Sequence, residues 1–372
     1  MILTREKYAY MWLGGLMNIP LALEIERNFT LDEIISPREE YFEELGIKRE
    51  KAASLEKSAY KFFEDKNIQY IKNTMEKEDI VFISKNDEDY PEKLSLITEP
   101  PMGIYLRGEK EVLKSSCAAV VGSRRVSDYG VYCCEKFSGE LAEKGVVIVS
   151  GMAEGTDSHA HKAALAKGGK TVAVMGNGID ICYPACNRNL RENIVKNGCI
   201  ISEFPLSMRG SKWTFPYRNR IISGLSDVVL IMEAAKKSGS IITAGHALDQ
   251  GKSVFALPGN ITSSLSEGSN ILIKEGAFPL LDSSDVLYEL GIEEKESAEN
   301  KKNDQNLKIT LETTEQLVYD CMDCGILSAD EISYKTKLDI QTLMYTLTTL
   351  ELKGVIKRVH GQKYIKGTSK KS

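Results

Sequence analysis

Between Cys117 and Gly259 the chain repeats one pattern six times: a short β-branched or apolar run closed by glycine or a polar residue, then a stretch of helical periodicity. The runs are AAVVGS, VVIVSG, TVAVMGNG, CIISEF, VVLIME and SVFALPG. Runs this continuously apolar need burial on both faces, which a parallel sheet covered by helices provides. Strands alternating with helices join through right-handed crossovers. The pattern therefore predicts an α/β fold, a doubly wound Rossmann-like parallel sheet. Such sheets bind ligands beyond the carboxyl ends of their strands, where helix N-termini present unpaired N–H groups.

The flanks read differently. Residues 1–80 look like short helices, with the apolar cluster MWLGGLMNIPLAL, a helix start at Ser36-Pro37, and Tyr60 and Phe63 three apart. They predict a helical, SAM-like N-terminal domain. From VFISKNDEDYPEKL through Pro100-Pro101 to MGIYLRG the chain reads as strand, turn and strand, a connector opening a main domain over 81–290. The stretch GIEEKESAENKKNDQN is too charged to bury itself and predicts a linker over 291–306. Over 307–372, TTEQLVYDCM, SADEISYKT and DIQTLMYTLTTLELKGV read as three helices, the second opening at Ser328 with Glu331 three later. VIKRVHGQKYIK then supplies two strands around His360-Gly361, which completes a winged helix.

At 42% hydrophobic residues, 372 residues can build a sizeable core. No run of about 18 uncharged apolar residues occurs, and MILTREKYAY carries charges where a secretory signal needs an apolar run. No membrane span and a cytoplasmic location are expected. In a reducing compartment the eight cysteines sit mostly as small buried hydrophobes. Cys321 and Cys324 lack a second ligand pair for zinc, so no metal or cofactor is expected. A net charge of −5 offers no global field for nucleic acid, and such a partner needs a local basic surface. Phe204 to Ser226 holds Arg209, Lys212, Arg218 and Arg220 with no acid, and Leu352 to Ser372 holds seven basic residues, again with no acid.

Three segments could hold an anionic strand at the carboxyl edge of the sheet. Gly122, Ser123 and Arg124 follow the first strand directly, so the backbone approaches closely and the guanidinium forks onto a phosphate. The stretch Lys212-Trp213-Thr214-Phe215-Pro216-Tyr217-Arg218-Asn219-Arg220 interleaves cations, which track phosphates, with rings on which unpaired bases stack. Gly239, Ser240 and Thr243 begin a helix and aim amides and hydroxyls at the same edge. Asp157, His159 and His161 read as structural hydrogen-bonding groups, Asp157 and His161 being one helical turn apart. Gly176-x-Gly178 lacks a third glycine and reads as a turn.

The order and spacing of VVGSRRVSDYG, VSGMAEGTDSHAHKAAL, VAVMGNGIDICYPACNRNL, ISEFPL, FPYRNRIISGLSDVVLIMEA, SGSIITAGHAL, VFALPG and SEGSNILIKEGA resemble the DNA-processing protein A family, also called DprA or Smf. That resemblance implies a protein that binds incoming single-stranded DNA during natural transformation, shields it and helps load the RecA recombinase, working as a homodimer built through the Rossmann-like domain. It implies strand contacts for Arg124, Lys212 and Phe215. Three departures stand out: Thr156 replaces a usual isoleucine, the family's usual glycine-and-proline pattern near Met208 to Ser211 is replaced here by MRGS with no proline, and the N-terminal domain lacks a glycine hairpin, so no DNA contact is expected there.

No catalysis is expected. The enzyme alternative is a nucleoside-monophosphate N-glycosidase of the similar lysine-decarboxylase-like group, whose PGGxGTxxE motif supplies a glutamate. SGSIITAGHALD keeps Gly239 and Thr243 but has no glutamate. A winged-helix adaptor or regulator is the third reading, resting on the basic stretch from Lys353 to Lys371.

Overall fold

A computed structural model of the chain describes residues 3–292, 312–322, 325–359 and 363–366. Among the described residues nine strands form the main sheet: β1 (Val81–Ser84), β2 (Gly103–Gly108), β3 (Cys117–Val121), β4 (Val147–Ser150), β5 (Thr171–Val174), β6 (Gly198–Ser202), β7 (Val228–Ile231), β8 (Ser253–Ala256) and β9 (Phe278–Pro279). Their order is β1-β2-β6-β5-β4-β3-β7-β8-β9. The six apolar runs are β3 to β8, and every residue of β3 to β7 is buried. From β3 to β9 all pairings are parallel. The chain winds outward from β3 to β6, then crosses back to place β7 on the other side of β3. That reversal makes β3/β7 the switch point of a doubly wound sheet. Asp227 secures the junction: its carboxylate accepts from Cys117 N at 2.8 Å and from Lys93 Nζ at 2.7 Å.

The connector belongs to the same sheet. β2 runs antiparallel to both β1 and β6, which extends the sheet by two strands beyond β6. The N-terminal helices, among them Arg5–Gly15, Ile19–Asn28, Arg49–Phe63 and Asp65–Glu78, share one core with a face of the sheet. There Trp12, Leu13, Ile25 and Phe42 cluster with Phe82, Tyr105, Met175 and Ile200, so a single core runs across residue 80.

Among the described residues, 3–126 and 134–292 form one compact unit and the remainder a second. The second unit has helices Thr313–Cys321, Ala329–Thr336 and Ile340–Leu352 and a small antiparallel sheet of β10 (Leu327–Ser328), β12 (Lys363–Lys366) and β11 (Ile356–Val359), in that order. This is a winged helix around Val318, Ile332, Leu343, Leu347, Leu350 and Tyr364. Its second helix opens on the expected capping box, in which Ser328 Oγ accepts from Glu331 N at 3.3 Å and the Glu331 carboxylate accepts from Ser328 N at 2.7 Å. Most of the expected linker, the His360-Gly361 turn, Cys324 and the tail after Lys366 lie outside the described residues. Among the described residues no helix is long and apolar enough to cross a membrane.

Candidate nucleic-acid interface

Where the chain reverses direction, the loops after β3 and β7 frame a cleft of about 710 Å3. The two loops are stitched together by Ser123 N, which donates to the Glu233 carbonyl at 2.7 Å. Thr156 opens the helix Thr156–Ala166 and donates both its N–H and its hydroxyl to the Ser123 carbonyl, each at 3.1 Å. Thr156 therefore anchors the arginine loop. Ser123 Oγ accepts from Arg125 N at 3.1 Å and donates to the Arg125 carbonyl at 2.9 Å, closing a tight turn that leaves Arg124 exposed.

The loop 203–213 after β6 leads into the helix Thr214–Leu225 and brings Lys212 and Phe215 to the same cleft. Thr214 Oγ1 accepts from Ser211 N at 2.9 Å and donates to the Ser211 carbonyl at 3.1 Å, which pins the helix start. Farther back, Asp180 holds the loop by accepting from Ser207 N at 2.8 Å and from the Ser207 hydroxyl at 3.1 Å. Phe215 lies between Gly176 and Gly210. A Cβ added there would stand 2.5 Å and 2.7 Å from its ring, so only glycine lets the ring settle in this position. The Arg124 guanidinium lies 5.4 Å from the Phe215 ring centroid, and the Tyr183 ring packs on Phe215 at 5.4 Å with a 31° tilt. Cation, ring and ring thus stand in one row. Among the described residues neither Arg124 nor Lys212 takes part in an ion pair.

Ten of the eleven expected residues line this cleft: Gly122, Ser123, Arg124, Lys212, Phe215, Arg218, Asn219, Gly239, Ser240 and Thr243. Arg220 does not, which corrects its assignment. It follows Phe215 by five residues, about 140° round the helix at roughly 100° per residue. Its guanidinium is buried against Glu203 in a two-pronged pair at 2.6 and 2.5 Å, donates to the Glu99 carbonyl and stacks on Tyr217. Arg218 reaches the floor of the cleft, but it too is buried, donating to the carbonyls of Gly151 and Val174 at the ends of β4 and β5. Burial lowers its pKa to about 10, so it stays charged at neutral pH. Asn219 bridges two helices, accepting from Arg218 Nε and donating to the Gly239 carbonyl at 3.3 Å. Ser240 is capped locally by Ser238, and Thr243 donates to the Gly239 carbonyl, so the start of the helix Gly239–Asp249 is largely satisfied by its own residues.

Tyr183 escaped the sequence reading. Its signal was present, an aromatic in the glycine-rich loop after β5, but nothing local places that ring against one thirty-two residues downstream. Among the described residues Asp157 is the one carboxylate lining the cleft; it is buried, which raises its pKa. His161 bonds Thr171 Oγ1 at 2.7 Å rather than Asp157, and burial pushes its pKa down to about 3. His159 pairs with Glu135 at 2.8 Å on the surface. The helix Gly239–Asp249 offers no glutamate to the cleft.

A sequence profile of the family described as DNA recombination-mediator protein A matches residues 81–291, more than half of the chain. The chain belongs to this family. A profile of the DprA winged helix domain matches residues 303–362. Protein Smf of Escherichia coli K12 is 44% identical over 209 residues, 56% of this chain and 56% of that protein, so the chain matches little more than half that relative's length. DNA processing protein DprA of Streptococcus pneumoniae R6 is 44% identical over 203 residues, 55% of this chain and 72% of that one. The solved structure of DNA processing protein A from Streptococcus pneumoniae has a TM-score of 0.64 at 33% identity, covering 77% of this chain and 98% of its own. That of DNA processing protein A from Helicobacter pylori, described for its single-stranded DNA binding mode, has a TM-score of 0.52 at 31% identity, covering 57% and 95%. Every residue of the cleft falls within the span that the DNA recombination-mediator protein A family matches.

Proposed function

We propose that the cleft holds a single strand of DNA, without regard to sequence and without making or breaking a bond in it. The observation that carries this reading is the contact of Arg124 and Tyr183 with the Phe215 ring in the cleft that the exposed Lys212 also lines, so that cations and rings share one sheet edge. Unpaired DNA offers phosphates to the cations and base faces to the rings, whereas a duplex hides those faces. Membership of a recombination-mediator family and the strand-binding description of the Helicobacter pylori relative support the choice of ligand. On the same grounds we propose that the protein works as a homodimer, protects incoming DNA in natural transformation and helps load RecA onto it.

Anisotropy titration of labelled oligothymidylate tests the ligand. Arg124→Ala, Lys212→Ala and Phe215→Ala each weaken binding, Phe215→Ala by about 1–3 kcal/mol, the range for losing one stacked base. Unchanged affinity in all three contradicts the reading.

A further inference from the structure

A second groove, of about 570 Å3, lies among the N-terminal helices and is lined by Trp12, Lys61, Phe62, Lys66, Tyr70 and Pro205 among others. Its walls are aromatic. Trp12 is buried, with its indole N–H donating to Ser58 Oγ at 3.4 Å, and forms the floor. Phe62 is half-buried, while Tyr70 leaves 46% of its surface in solvent. Lys61 and Lys66 are exposed on the rim against a single lining carboxylate, Glu64, and among the described residues neither lysine takes part in an ion pair.

One loop joins this groove to the cleft. Pro205 of the loop 203–213 lines the groove, and Gly210 to Lys212 of the same loop line the cleft. The Tyr70 hydroxyl and Ser207 Oγ, 2.6 Å apart, fasten the helix Asp65–Glu78 to that loop midway between the two. The exposed Arg209 stands on the intervening stretch, and the exposed Trp213 directly follows Lys212. A chain of cations and rings therefore continues from one hollow to the next, which is what a long strand tracks and a compact ligand does not use.

We propose that this groove is a second site on the same path, taking bases of single-stranded DNA against Tyr70 and Phe62 while Lys61 and Lys66 meet its phosphates. The proposal rests on the strand-binding reading of the cleft. It assigns a DNA contact to the N-terminal helices through a groove, with no need for a helix-hairpin-helix.

Two lengths of oligothymidylate separate the sites, one of about 6 nucleotides, within the footprint of a single module, and one of about 20, long enough for both. Tyr70→Ala weakens binding of the longer strand by about fivefold or more, Lys66→Glu weakens it as well, and both leave the shorter strand unaffected. Tyr70→Phe, which keeps the ring and loses the bond to Ser207, binds both lengths like the unaltered protein. Lys212→Ala weakens both lengths. Loss of short-strand binding in Tyr70→Ala, or an equal loss in Tyr70→Phe, would mean that Tyr70 acts by holding the loop and would overturn the second site. Unchanged long-strand binding in Tyr70→Ala and Lys66→Glu, with Lys212→Ala still weak, overturns the groove alone; if Lys212→Ala also binds both lengths normally, the reading of the cleft falls with it.

Discussion

Arg124 and Arg220 show how far residue type underdetermines role. Both lie in basic segments expected to meet a strand, yet Arg124 is exposed over an aromatic ring and Arg220 is buried with Glu203. Removing one partner of a buried pair strands the other charge, so Arg220→Ala should destabilise the fold by about 3–5 kcal/mol. Urea unfolding reads that loss, while strand affinity per folded molecule should hold; a stable variant with weak binding would return Arg220 to the interface. His161 makes a prediction of its own. With a folded-state pKa of about 3 against an ordinary 6.5, it is neutral in both states at neutral pH. Below about 6.5 the unfolded chain takes up a proton that the folded one refuses, so this group removes stability as pH falls, by up to about 1.4 kcal/mol per pH unit. The raised Asp157 acts in the opposite sense, the folded state taking up its proton first. Comparing the unaltered protein with His161→Asn isolates the histidine. The unaltered protein should lose stability relative to the variant between about pH 6 and 4, and a constant gap would contradict the assignment.

At the level of elements, the cleft depends on glycines whose purpose appears only in three dimensions. Gly176 follows β5 and Gly210 precedes the helix Thr214–Leu225, and the two together make room for Phe215. Gly176→Ala should displace the ring and weaken strand binding about as much as Phe215→Ala, while an unaffected affinity would show that the ring's position is immaterial. The strands β3 to β8 were legible because burial on both faces leaves an almost uninterrupted apolar run. The affiliation of β1 and β2 was not. Their place in the sheet rests on pairings such as Tyr105 with Ser202, nearly a hundred residues away, and local pattern carries no trace of them. Arg220 was misplaced for a related reason: the alternation of cations and rings over 212–220 reads as one surface until helical phase divides it between the cleft and the core.

Across the whole molecule the chain is acidic, at −5, and any polyanion must be held against that average by a local field. The cleft provides one, with Arg124, Lys212 and the buried Arg218 against the single buried Asp157. The separate winged helix has its own core, so the first unit should bind a strand without it. The central claim is that Arg124 and Lys212 neutralise phosphates, and the salt dependence of strand affinity tests it most directly. For single strands the slope of log affinity against log salt shrinks by about 0.7 for each phosphate contact removed. Arg124→Ala and Lys212→Ala should each flatten the slope by about that amount, and the double variant by about twice it. Slopes that match the unaltered protein in all three would contradict the account.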